Sequence, residues 1–470
     1  MKLSRRSLIR KLSIGMGVMS INLPGFANEF RDETREKKVN SSNSFNMSGY
    51  AAPKMDRVRV GIIGLGNRGE EAVRRLCYID GLDIVALCDK YSDRTEKCRT
   101  AVVDKKLPDP KTFSGSEDAW KGLCDMDLDL VYICTPWHWH TPMAIYSMKA
   151  GKHVAVEVPV TQSMDECWEL VETSENTKKH CVILENCCYD FFEMLTLNMA
   201  RQGLFGEIVH TEGAYIHDLM DLNFSKTYYA DLWRLKENAT RNGNLYPTHG
   251  LGPVAQCLDI NRGDRMEYLV SVSSGDFSMH DREVKEAGKD PMFQPFINEN
   301  FRGNMNTTTI KTEKGKTIMI QHDVSSPRPY SRIHLISGTK GIAQKWPGPE
   351  RIAFGHSWLK KEEMDTLYDK HTPPLIKHIG NIAKEVGGHG GMDFVMDWRL
   401  IDCLRDGLPM DMDVYDAASW SAVGILSEVS VKKRSMPMLI PDYTRGNYKT
   451  NEKVDLTLSK GVTTGVRKLG

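Results

Sequence analysis

Residues 57–69 read RVRVGIIGLGNRG. Arg57–Ile63 is a short β-prone run, Gly64-Leu65-Gly66-Asn67-Arg68-Gly69 follows it, and the next segment, EEAVRRLCYI, carries helical spacing. Strand, glycine turn and helix in that order suit a dinucleotide pyrophosphate. Gly64 makes the tight turn and Gly66 lets the backbone approach the phosphates. Gly69 lets helix and strand pack closely, with the helix N-terminus facing the anion. A second strand-like run, LDIVALCD, ends at Asp89. An acid at that position accepts hydrogen bonds from ribose hydroxyls and repels a 2′-phosphate, so the pattern favours NAD over NADP.

Working outward, three more strand-like runs appear. DLVYICTP (129–136) leads into Trp137-His138-Trp139-His140, HVAVEVP (153–159) contains Glu157 and Val158, and CVILEN (181–186) ends at Asn186. Helical segments separate them. One ends at Gly151, suited to a left-handed C-cap, and another opens with Ser163 and Glu166 at capping-box spacing. Strand alternating with helix predicts an α/β fold, a doubly wound parallel sheet of Rossmann type over 57–186. Its ligands sit beyond the carboxyl ends of the strands, where Asp89, the Trp137–His140 quartet, Glu157 and Asn186 fall. The quartet contains an H-x-H pair, but no third ligand follows at metal spacing, so stacking against the nicotinamide half is expected and no metal. His138 is expected to face solvent.

After Asn186 the pattern changes. A helix closed by glycine (FFEMLTLNMARQGLFG) is followed by EIVHTEGAYIHD, YLVSVSSGDF, MNTTTIKTEKGKTIMIQHDV and SRIHLISGTKGIAQK, which read as antiparallel strands. Residues 187–470 are therefore expected to form an α+β domain on an open, mainly antiparallel sheet. An amphipathic helix over 390–407 would return to the first domain. The cleft between domains is the expected substrate site. Polar and aromatic residues collect in LWRLKENATRNGNLYPTHGLGPVAQ (232–256). His249 is the strongest acid/base candidate there because histidine titrates near neutrality. Arg234 and Tyr246 flank it, and Tyr189 and Tyr215 fall at element ends directed at the same cleft.

The N-terminus pairs Arg5 and Arg6 with an apolar stretch and a small residue at Ala27, the order of a secretory signal of the twin-arginine type over 1–27. A basic amphipathic tail is the alternative. Residues 28–56 are polar and Asn/Ser-rich, expected as a flexible linker. Lys+Arg and Asp+Glu both total 62 in 470 residues, which gives no electrostatic basis for nucleic-acid or anionic-membrane partners. No apolar run beyond the N-terminus is long enough to span a bilayer. The 11 cysteines are scattered and odd in number, as buried hydrophobes rather than a disulfide framework.

The first domain, the Glu157-Val158-Pro159 strand and the His249 segment together resemble the Gfo/Idh/MocA oxidoreductases. The usual Glu-Lys-Pro lysine is replaced by Val158, and the aspartate four residues before the family's histidine is replaced by Leu245. TPWHWHTPMA, HVAVEVP, ENCCYD, WRLKENATRNGNLYPTHGLGPVAQCLDINRGDR and GGHGGMDFVMDWRLIDCL look like one branch, glycoside hydrolase family 109, from about residue 57 to about 445. That branch commonly has Glu at the place of His138. The resemblance implies cofactor contacts from Asn67, Arg68, Asp89, Trp137 to His140, Glu157, Val158 and Asn186. It implies substrate contacts from Tyr215, Arg234, Tyr246, Pro247, Thr248, His249 and Tyr330. His249 and Tyr189 would be the proton-transfer groups, in either order.

The activity implied is removal of terminal α-N-acetylgalactosamine by C3 oxidation with NAD, C1–C2 elimination, water addition and re-reduction. NAD would be tightly bound and recycled in each turnover. Such a protein, once folded around its cofactor, could work after export to a bacterial periplasm that holds no NAD pool. The partner is a glycan with a terminal N-acetylhexosamine, and the family also points to self-association through the second domain's sheet. A periplasmic sugar oxidoreductase and a non-catalytic sugar-binding protein are the competing readings.

Overall fold

The structure is a computed structural model describing residues 45–468. The twin-arginine segment and residues 28–44 lie outside the described residues. Strands β1 (Val58–Ile63), β2 (Leu82–Cys88), β3 (Lys111–Phe113), β4 (Leu130–Ile133), β5 (His153–Val156) and β6 (Cys181–Ile183) form one parallel sheet in the order β3-β2-β1-β4-β5-β6. β4, β5 and β6 are buried at every position, as a sheet covered on both faces requires. Strand order reverses between β1 and β4, so a crevice opens at their carboxyl ends.

The glycine loop is fixed by close packing. Gly64 has φ +86°, and a Cβ there would lie 2.7 Å from the Cys134 carbonyl carbon; a Cβ on Gly69 would lie 1.8 Å from the Gly64 oxygen. The helix Asn67–Leu76 starts directly beyond the loop. Further on, Ser163 accepts from the Glu166 amide at 3.2 Å, and the Glu166 carboxylate accepts from the Ser163 amide at 3.1 Å, a reciprocal cap on the helix Met164–Thr177.

The second sheet comprises β7 (Ile208–Ile216), β8 (Met266–Ser273), β9 (Asn306–Thr312), β10 (Thr317–Asp323), β11 (Leu335–Gly338), β12 (Ile342–Gln344), β13 (Arg351–Ala353) and β14 (Met438–Leu439), ordered β13-β12-β11-β7-β10-β9-β8-β14. It is mainly antiparallel, as expected; β7 and β10 are its parallel pair, and β10 pairs antiparallel with β9 on its other side.

Two helices join the sheets. Met392–Asp406 was expected to be amphipathic, but every residue except Arg405 is buried, so it has no solvent face. It packs against β1 and the helix Asn67–Leu76. Its acids are satisfied internally: Asp397 accepts from Arg75 Nε and the Tyr132 hydroxyl, both at 2.8 Å. The helix Val414–Lys432 is also largely buried, against β8 and the helix Met164–Thr177.

Residues 45–56 are not a linker. Met47 and Ala52 are buried, the Met47 amide donates to the Tyr415 hydroxyl at 3.1 Å, and Ala51 bridges Pro409. Two buried apolar anchors outweigh the polar composition around them. At the other end, residues 462–467 form a strap over the first domain. Asp402 accepts from the Val462 and Thr464 amides, Val466 bridges Ile79, and Arg467 donates to the Cys77 and Leu82 carbonyls. All 11 cysteines are unpaired, and all but Cys134 are buried.

Candidate active site

The carboxyl ends of β1, β2, β5 and β6 carry the first half of the site. Asp89 is buried, and its Oδ2 accepts from the Leu65 amide at 2.7 Å, tying the end of β2 to the glycine loop. Arg68 donates through Nε to Glu157 Oε1 at 2.9 Å and through Nη1 to Asp393 Oδ2 at 3.0 Å. Asp393 also accepts from the Asn186 amide nitrogen and pairs with His389 Nδ1 at 2.8 Å. Burial alone would raise the Asp393 carboxyl. The Arg68 charge and the His389 hydrogen bond overcome that and hold it well below the usual carboxylate range. Asn67 reaches across to the Tyr228 carbonyl at 2.9 Å. Val158 is buried behind Glu157.

The Trp137–His140 quartet divides in three. Trp137 is buried and stacks on Tyr246, ring centroids 5.8 Å apart. His138 is exposed and Trp139 is half-buried. His140 is buried and bonded through both ring nitrogens. Its Nδ1 and Nε2 each lie 2.7 Å from a carbonyl, of Pro159 and Thr135, so its ring joins the turns after β4 and β5. Burial pushes its pKa down despite both carbonyls.

The second half is an aromatic cage around a cation. The Arg234 guanidinium sits over the rings of Tyr246 (5.0 Å), Tyr229 (5.2 Å), Trp137 (5.3 Å) and Tyr215 (6.0 Å). Its Nη1 donates to the Tyr229 hydroxyl at 3.0 Å, and the guanidinium's five N–H groups leave donors for a ligand. Burial pushes the Tyr215 hydroxyl up to about 12, against the pull of Arg234. Tyr330 completes the wall, edge-on to Tyr215 and His217. His217, which the sequence reading did not single out, lies 3.3 Å from the Tyr215 hydroxyl through Nδ1.

His249 stands in the first turn of the helix Thr248–Cys257, behind the buried Pro247 and Thr248. That helix meets β7 backbone to backbone: a Cβ on Gly213 would lie 2.3 Å from the Gly250 oxygen. The approach sets the depth of His249, whose ring is edge-on to Tyr215 (5.3 Å) and Tyr246 (4.9 Å). Its Nδ1 lies 2.7 Å from Glu185 Oε1. Glu185 is fully buried after β6; burial would raise its carboxyl, but the charge and hydrogen bond of His249 hold it below its ordinary value. Glu185 was overlooked in the sequence, although an acid just before Asn186 at a strand end was there to be noticed.

Tyr189 lies apart from the cage. Its hydroxyl donates to Asp411 Oδ2 at 3.1 Å, and Asp411 is held in turn by Arg399 at 3.0 Å. The ring is buried and lines a small internal pocket with Val182, Leu184 and Met396, which shares no residue with the cage. The short 3-10 turn Asn186–Tyr189 aims it at the second domain's helices instead.

Glu185, Cys187 and His249 place ligand-type atoms within 4.8 Å of one another, but the His249–Glu185 hydrogen bond uses atoms that a cation would need. The glycine loop, the helix N-terminus behind it and the buried Asp89 fit a dinucleotide: a Cβ on Gly66 would meet only Arg94, at 3.6 Å, so the loop's outer side has room for phosphate.

Comparison with known proteins agrees with this division. Residues 58–185 match the oxidoreductase family with an NAD-binding Rossmann fold, and residues 189–450 match the glycosyl hydrolase 109 C-terminal domain. Glycosyl hydrolase family 109 protein 1 of Bacteroides fragilis is 45% identical over 455 residues, covering 93% of this chain and 96% of the relative. An alpha-N-acetylgalactosaminidase of the same species is 49% identical over 409 residues, covering 85% and 95%. The fold is shared with myo-inositol dehydrogenase from Lactobacillus casei in complex with NAD(H) and myo-inositol, at TM-score 0.56 and 16% identity, covering 83% of this chain and 99% of that one. The chain belongs to glycosyl hydrolase family 109 and is an NAD-dependent glycoside hydrolase.

Proposed function

We propose that the protein is an exo-acting α-N-acetylgalactosaminidase that cleaves by oxidation, elimination, hydration and re-reduction. The observation that carries this reading is the His249–Glu185 pair set beneath the Arg234 aromatic cage at the carboxyl edge of the Rossmann sheet. Ordinary glycosidases flank the scissile bond with two carboxylic acids. Here the buried acid backs a histidine, which is an arrangement for moving protons.

Gly64, Gly66, Gly69 and Asp89 would hold NAD at the phosphates and ribose, with Trp137 and the Arg68–Glu157 pair toward its reactive end. Bound NAD supplies reversible hydride exchange at sugar C3. His249, oriented through Nδ1 by Glu185, accepts the C3 hydroxyl proton on Nε2, and Glu185 stabilises the imidazolium so formed. The C3 ketone acidifies the C2 proton. The C2 proton passes to water as the C1–O bond breaks with its electron pair on the aglycone oxygen, which takes up a proton and departs; water then adds across C1 and C2, its proton at C2 and its hydroxyl at C1. Arg234 stabilises the oxygen that carries the enolate charge, in a site where burial strengthens the interaction. Tyr215, Tyr246 and Tyr330 hold the ring by hydrogen bonds and stacking.

The cycle is redox-neutral, so a tightly bound cofactor is used and restored in each turnover. That supports export of the folded, NAD-loaded protein to the periplasm through the paired arginines at the N-terminus. The test uses protein purified without added nucleotide and an aryl α-N-acetylgalactosaminide, with aryl release and NADH absorbance followed together. Many turnovers with no lasting NADH signal are expected. NADH accumulation without aryl release would overturn the reading in favour of a sugar dehydrogenase.

A further inference from the structure

A groove of about 710 Å³, lined by no cage residue, is joined to the site by two contacts. That volume falls within the range of clefts that take whole small-molecule ligands, about 300–1,000 Å³. One end is His389, which pairs with Asp393 at 2.8 Å and lies 3.4 Å from Arg68. The opposite wall is Lys345, next to Trp346, whose ring is edge-on to Tyr330 at 5.4 Å. The groove therefore runs outward from the two borders of the sugar site.

Its walls differ in kind. On the Lys345 side the charges are used up: Lys345 and Arg332 are shared between Asp190 and Glu193. On the other side the helix Pro374–Val386 presents Lys377, Asn381 and Lys384, all exposed. These positions follow i, i+4 and i+7, one face of one helix. Among the described residues neither lysine has a carboxylate partner. Lys377 donates to the Asp369 carbonyl at 2.8 Å, and Lys384 lies over the Phe191 ring at 4.3 Å. Each ammonium keeps N–H groups beyond these contacts and Asn381 adds an amide, donors and an acceptor that suit sugar hydroxyls.

We infer that this groove binds the leaving group, and that the preferred substrates are oligosaccharides whose sugars on the reducing side of the scissile bond lie along Lys377, Asn381 and Lys384. The inference rests on the glycosidase reading above. The cage encloses one sugar, whereas the aglycone must remain attached until C1 is freed and then depart through open space. Contacts to those outer sugars that persist into the elimination transition state raise kcat/KM, whether or not they also raise kcat.

The experiment compares wild type with the triple variant Lys377→Ala, Asn381→Ala, Lys384→Ala on two probes: an aryl α-N-acetylgalactosaminide, and a trisaccharide with terminal α-N-acetylgalactosamine on lactose. The variant is expected to keep aryl kcat/KM within about twofold and to lose tenfold or more on the trisaccharide. Aryl turnover also reports that the variant is folded and loaded with cofactor. Equal losses on both probes, or no loss on either, would overturn the groove assignment while leaving the glycosidase reading intact. Failure of wild type on both probes would overturn the glycosidase reading and this inference with it.

Discussion

His249 Nδ1 lies 2.7 Å from Oε1 and 3.0 Å from Oε2 of Glu185, a carboxylate fully withdrawn from solvent. One ring nitrogen is thereby committed as a donor, and Nε2 is left to accept a proton. Glu185→Gln keeps the shape but loses the charge that stabilises an imidazolium. Its kcat is expected to fall by about 10²–10⁴-fold, the usual weight of a positioned acid/base. NAD content, measured after denaturation, is expected to stay at the wild-type level, because Glu185 does not border the glycine loop.

The same pair sets a pH limit on stability. The folded-state pKa of Glu185 is held below its ordinary value, which is about 4.3 in model peptides. A depressed carboxyl contributes stability that is fully present above the unfolded pKa and is lost as pH falls through the folded one. The thermal unfolding temperature of wild type is therefore expected to fall as pH drops below ~4. Glu185→Gln is expected to lack that part of the acid dependence.

Arg234 is held by ring faces rather than by a carboxylate. Arg234→Met should preserve packing and remove the cation. The expected result is a loss of about 10²-fold or more in kcat/KM on an aryl glycoside, with NAD retained, since charge-assisted contacts to ligand contribute about 1.5–3 kcal/mol each. Arg234→Lys is not expected to rescue it, because a point charge lacks the planar fork that fits among the rings.

Tyr189→Phe separates the structure from the sequence expectation. The hydroxyl serves Asp411, which keeps its Arg399 partner in the variant. A stability loss of about 1.5–3 kcal/mol is expected, as for a hydrogen bond to a charged group. Turnover of an aryl glycoside should stay within an order of magnitude of wild type. A collapse of kcat at unchanged stability would restore Tyr189 to the chemistry.

Asp393 joins Arg68, Asn186 and His389 and lies 3.5 Å from Arg75. Asp393→Asn leaves two guanidinium groups without this buried counter-charge. Removing one partner of such a pair typically costs about 3–5 kcal/mol. Thermal unfolding and NAD content measured together should both fall.

The glycine loop was legible because few residue types tolerate its geometry, so sequence and backbone carry the same information at Gly64 and Gly69. The His249 segment was legible as a concentration of polar and aromatic types. Glu185 was not, since its role depends on a helix that begins 63 positions later in the chain (Thr248 against Glu185) and packs across β7. The direction of Tyr189 was not legible, because residue type does not say which way a side chain leaves a 3-10 turn. The helix Val414–Lys432 went unread because burial on nearly all sides removes the amphipathic period on which such readings depend. The docking of residues 45–56, expected as linker, was not legible because a few anchoring side chains, not average polarity, decide whether a segment docks.

The strap over the first domain has a consequence for the order of events during synthesis. Arg467 and the carbonyl it covers at Cys77 are 390 positions apart. A growing chain can form β1 to β6 early, but the surface around Ile79 stays open until the entire second sheet has been made. The nucleotide-binding half is thus among the first parts translated and among the last to be closed. Its full rigidity arrives only when the polypeptide has been threaded through to its far side, which ties maturation of the cofactor site to completion of the domain that handles the sugar.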